Sequence, residues 1–135
     1  MFTAKGLDKR VEEGLRERFR NQCGAVGTYL AMGRAADREG CPEVAEALCR
    51  FAQEGAQHAA RCAELLGETL TDSTKENLKS LVLSRQEESR GTAELAVLAK
   101  SLGYEAIYET LQEIVRDEAR HGQALEGMAK RYFPK

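Results

Sequence analysis

The sequence predicts an all-α protein, a four-helix bundle made of two repeated helical hairpins. Apolar residues recur at three- and four-residue spacing in four blocks, and no stretch shows the alternation of a half-buried strand. Glycine, proline and a serine cap fall between those blocks. Landmarks also recur at an offset of 63 residues: Gly40 and Gly103, Val44 and Ile107, Ala56 and Ala119, His58 and His121. A repeat of that length with two helical blocks in it is one hairpin, present twice.

The first helix is expected over about 7–38, on the stripe Leu7, Val11, Leu15, Phe19, Val26 and Leu30, with Gly40 able to end it. The second, about 42–66, opens on Pro42 and carries Val44, Leu48, Phe51, Ala52, Ala59, Cys62 and Leu66 up to Gly67. Ser73 and Glu76 form a capping box for the third, about 74–102, whose stripe is Leu78, Leu81, Val82, Leu95, Ala99 and Leu102. Beyond Gly103 the fourth runs over about 105–132 on Ile107, Leu111, Ile114, Val115, Leu125, Met128 and Tyr132. No linker divides the chain, so residues 1–135 form a single domain, large enough for a core.

Composition narrows the function classes. Charged residues make up 31% and aromatics 6%, there is no Trp, and the formal charge is −2, with both signs interspersed. No nucleic acid or membrane partner is expected from that balance. The opening residues lack the apolar run of a leader or span, so a cytoplasmic location is expected. Cys23, Cys41, Cys49 and Cys62 form no Cys-x-x-Cys pair and are read as small buried thiols.

The chemistry lies where the apolar stripes break. Their middle positions are Gln22 on the first helix, Gly55 and His58 on the second, Arg85 and Glu88 on the third, and Glu118 and His121 on the fourth. Gln22 corresponds to Arg85 in the repeat, and Gly55 to Glu118. Polar groups gathered in one buried layer must be paired or bound, because an isolated buried charge is strongly disfavoured. Both histidines of the chain occupy this layer, and Glu118 with His121 places an oxygen and a nitrogen on one helix face, as a metal site needs.

The EARH motif (118–121), Tyr29, the turn EGCPEVAE (39–46) and TKENLK (74–79) are the residues on which the chain resembles the ferritin-like domain of rubrerythrins, over nearly its whole length. That resemblance implies a non-haem di-iron, peroxide-reducing ancestry. The family's ligands are a Glu on the first helix, Glu-x-x-His on the second, Glu-x-x-Glu on the third and Glu-x-x-His on the fourth. His58, Glu88, Glu118 and His121 match them; Gln22, Gly55 and Arg85 do not. No catalytic residue is assigned. The chain given ends at Lys135 without the family's Cys-x-x-Cys rubredoxin site, so redox work is expected to need an external electron donor.

Arg85 decides how the departures are read. A fixed cation ~4 Å from a divalent metal costs on the order of 8 kcal/mol at an effective dielectric of about 20. Arg85 is therefore expected to replace one iron and to pair mainly with Glu118, with Gly55 clearing space beside Gln22 for it. The expectation is a reduced site with at most one Fe, Mn or Zn ion on His58, Glu88, Glu118 and His121. The alternative is a metal-free bundle serving as a structural, binding or sensory module. The two interior glycines of CGAVG (23–27) imply close packing against a neighbour or room for a small ligand. A homodimer is expected too, with exchange of hairpins between its chains left open. In this family's bundle the connection from 66 to 74 would have to span about 29 Å. Eight extended steps reach only ~26–29 Å.

Overall fold

A computed structural model describes residues 6–135, and over them the chain is all-α, with no strand among the described residues. Its helices are α1 (Lys9–Arg38), α2 (Pro42–Leu66), α3 (Thr74–Ser101) and α4 (Glu105–Tyr132). Two compact units divide between Asp72 and Ser73: one is the α1–α2 hairpin, the other the α3–α4 hairpin.

The turns carry the repeat into the backbone. Gly40 and Gly103 both adopt positive φ, 82° and 83°. After each, the next amide reaches back to the carbonyl five residues earlier: Cys41 to Ala36 at 2.8 Å and Tyr104 to Ala99 at 2.9 Å. This is the Schellman closure, and it needs a residue without a Cβ penalty at the left-handed position. Gly67 ends α2 in the same conformation.

Helix starts follow their caps. The Ser73 hydroxyl accepts from the Glu76 amide at 3.2 Å, which opens α3. The Asp8 carboxylate accepts from the Arg10 amide at 2.8 Å, so α1 begins at Lys9 rather than on the apolar residue Leu7. In the first hairpin Arg16 also reaches Glu68, just past the end of α2, through Nε–Oε1 at 3.0 Å. That guanidinium holds the Glu68 carboxyl below its usual range.

Each hairpin has a thin, small-residue core. Ala45, Ala52, Ala59 and Leu66 are buried on α2, and Val82, Ala96 and Ala99 on α3. At Gly33 α1 lies against the backbone of α2, since a Cβ there would sit 3.5 Å from the Ala45 carbonyl. The larger apolar residues stay exposed in rows seven residues apart. The rows are Val44, Phe51 and Leu65 on α2, Leu81, Leu95 and Leu102 on α3, and Ile107, Ile114 and Met128 on α4, while Met32, Leu83, Val97 and Leu98 are exposed outside them. A seven-residue apolar row is the seam a helix presents to another helix. The sequence stripes thus contain two faces, and Val44 and Phe51 belong to the exposed one.

The cysteine expectation fails. Cys23, Cys41 and Cys49 are exposed and only Cys62 is half-buried. Cys41 sits at the N-cap of α2, in the turn. The two glycines of CGAVG do not serve close packing within their hairpin, since a Cβ at Gly24 or Gly27 would meet nothing within 4 Å.

Candidate functional site

The seven layer residues separate into two kinds of place. His58 is exposed and completes the row Val44, Phe51, Leu65 on α2; Glu88 does the same on α3 and His121 on α4. These three metal-type donors therefore stand in the middle of apolar seams. Gln22, Arg85 and Glu118 are half-buried and Gly55 is buried, all at the contact between the two helices of their own hairpin.

In the first hairpin this layer is packed shut. A Cβ on Gly55 would lie 3.3 Å from Val26 Cγ2 and 3.6 Å from Gln22 Oε1. The space over Gly55 is thus occupied by α1 and is not the clearance for Arg85 that the sequence suggested. A side chain at position 55 would have to push Val26 aside by a few tenths of an ångström and would extend against Gln22.

The second hairpin is built differently. Arg85 and Glu118 line one cavity of about 270 Å³ between α3 and α4. The expected direct pairing does not close. Nε of Arg85 and Oε1 of Glu118 are buried without hydrogen-bond partners, and no ion pair joins them among the described residues. The cavity adds Gln86, Ser89, Gln123 and Glu126, none of which the sequence marked. Their only signal was helical spacing: each lies within a turn or two of Arg85 or Glu118 on the same helix.

As a metal centre the donor set is thin. Within either hairpin, among the described residues, no three His, Cys, Asp or Glu side chains cluster so as to hold a metal ion. Two imidazoles and two carboxylates remain across the chain, with no carboxylate at positions 22, 55 or 85. A bridged pair of metals needs more oxygen donors than that and tolerates no guanidinium beside them.

Two helical hairpins repeated in one chain, with His and Glu in the middle of their seams, define the ferritin-like class. The chain belongs to the rubrerythrin family, whose model matches residues 13–129. It is 55% identical over 130 residues to reverse rubrerythrin-1 of Clostridium acetobutylicum, covering 96% of this chain and 72% of that protein. It is also 42% identical over 123 residues to an uncharacterised protein of Methanocaldococcus jannaschii, covering 91% and 86%. The family is one of non-haem iron proteins. No helix of the described residues is long and apolar enough to cross a membrane.

Proposed function

We propose that this is a rubrerythrin-family protein with a reduced centre, binding at most one Fe, Mn or Zn ion through His58, Glu88, Glu118 and His121. The observation that carries the reading is the common placement of His58, Glu88 and His121, each central in an exposed seam. When bound, the ion supplies redox or Lewis-acid chemistry. The imidazoles of His58 and His121 and the Glu88 carboxylate would hold it, and the apolar residues one turn-pair away on each row would exclude water. An external donor would supply electrons, and the inherited role is in redox or peroxide stress.

The seams need a cover, and the proposed one is a second copy of the chain with hairpins exchanged. The tight connection from 66 to 74 supports exchange over closure within one chain. Light scattering at micromolar concentration should report a dimer; a monomer would sink this part of the reading.

A second reading is a metal-free bundle, favoured by the unpartnered Arg85 Nε and Glu118 Oε1 in one cavity. Protein purified without oxygen and loaded with ferrous iron distinguishes the two. About one tightly bound metal per chain supports the first reading, none supports the second, and two would refute both.

A further inference from the structure

We propose that the cleft between α3 and α4 around Arg85 and Glu118 binds a small zwitterion, an α-amino acid with an apolar side chain, without any metal. Two unsatisfied atoms define its polar end. Arg85 Nε is a buried donor on a cation, Glu118 Oε1 is a buried acceptor on an anion, and both line the same cavity. A buried polar atom left without a partner is disfavoured, so the cavity selects whatever satisfies both at once.

Charge then removes the simpler ligands. An inorganic anion would gain Arg85 but face the carboxylates of Glu118 and Glu126. A metal or amine alone would face the guanidinium. An apolar molecule would leave both atoms unmatched. A zwitterion places its carboxylate on Arg85 and its ammonium on Glu118, with Gln86, Ser89 and Gln123 left for the remaining bonds.

The apolar end follows from Glu126. That residue also lines a second cavity of about 340 Å³, walled by Val82, Leu83, Ala129 and Phe133 together with Lys75 and Lys79. Val82 lies one turn, about 4.5 Å, from Arg85 on α3, so the side chain of an amino acid held at Arg85 can turn towards the Val82 end of that space.

Glu118 aside, the candidate metal donors do not line the cleft. At about 100° per residue, Gln86 is roughly 200° around α3 from Glu88, and Gln123 the same around α4 from His121. Gln86 and Gln123 thus lie on the side of the cleft away from the seam that carries Glu88 and His121, whereas Arg85 and Glu118 stand about 60° from that seam. Glu118 is common to both proposals, so the test is run on chelator-treated protein, where failure of the metal reading has no bearing on the result.

The experiment titrates the full chain with L-leucine and L-phenylalanine, followed by calorimetry and by the side-chain Nε–H resonance of Arg85. The Arg85 resonance should move on titration. 4-Methylpentanoate, isoamylamine and inorganic phosphate should each bind at least about tenfold more weakly than leucine. Arg85→Lys and Glu118→Gln should each weaken leucine by a similar factor. No heat and no movement of the Arg85 resonance at ~10 mM amino acid would overturn the proposal, leaving a solvated pair only. Equal binding of phosphate or of the methylpentanoate would overturn it as well. The resonance is read on the unmodified chain, so the test stands even if a variant fails to fold.

Discussion

Positions 55 and 118 are counterparts in the repeat, and they have reached opposite states. Gly55 is buried, and Val26 and Gln22 close over it. Glu118 keeps its carboxylate and stands with Arg85 around an open cavity, each with a buried atom lacking a partner. The frames are alike, down to the Schellman turns at Gly40 and Gly103. The first hairpin fills this position with packing. The second keeps a guanidinium and a carboxylate around one cavity, and both contain unmet hydrogen-bonding demand.

Restoring the lost acid in the packed hairpin should give the largest effect. Gly55→Glu drives a side chain into Val26 and buries a carboxylate with no cation of its own. The expected loss is about 2–3 kcal/mol by urea denaturation, from overpacking and an unpaired charge. Adding Gln22→Glu and Arg85→Glu should lower stability further without metal, because like charges then crowd one layer. Ferrous iron should restore it and raise uptake towards two per chain. If Gly55→Glu alone is neutral, the first hairpin is not closed as described.

The open hairpin should respond to removal of its cation by a smaller amount. Arg85→Met leaves Glu118 with a buried oxygen and no counter-charge, which should cost about 1–2 kcal/mol. Half-burial keeps this below the ~3–5 kcal/mol of a fully buried broken pair. Arg85→Met with Glu118→Met should recover most of the loss, since both unmet groups go together. Gln22→Met, the matching change in the other hairpin, should cost less than Arg85→Met. Equal losses would mean that the two layers do not differ.

The glycines at 40, 67 and 103 were legible because each must take positive φ, which one residue type does without strain. That His58, Glu88 and His121 each interrupt an apolar row of their helix was legible from spacing. What sequence did not show is which face of its hairpin each one serves. Helical periodicity merges the inter-helix contact with the outer seam when both are apolar, as with Ala52 and Phe51. Side-chain reach was also hidden: Arg85 and Glu118 share a cavity without bonding, which depends on rotamers rather than register. Gln86, Ser89 and Gln123 look like ordinary helix-surface residues in sequence, and only the cavity distinguishes them.

Gly122 corresponds in the repeat to Ala59, so Gly122→Ala makes the open hairpin more like the packed one. A Cβ at Gly122 meets nothing within 4 Å, and its backbone is helical. The change should raise stability by about 0.5–1 kcal/mol through helix propensity. It lines the Arg85 cavity, so leucine affinity should fall while stability rises. A loss of stability would show that the second hairpin needs glycine for a close approach.

The smallest effect concerns a contact that only the first hairpin has. Arg16 pairs with Glu68 and with Glu12, whereas the second hairpin has Lys79 and Arg131 at the positions matching Arg16 and Glu68. The guanidinium lowers the Glu68 pKa from its ordinary 4.5, chiefly through side-chain hydrogen bonding. A carboxylate with a lowered folded value contributes stability that is fully present above its unfolded value. That contribution disappears as the pH falls through the folded value. The melting-temperature gap between the parent and Glu68→Gln should therefore be present at pH 7, shrink below pH ~4.5, and vanish at still lower pH. Molar salt should shrink it at pH 7 as well, because the pair is exposed to solvent. A gap unchanged at pH 2.5 would mean that Glu68 acts through packing at the end of α2 and not through its charge.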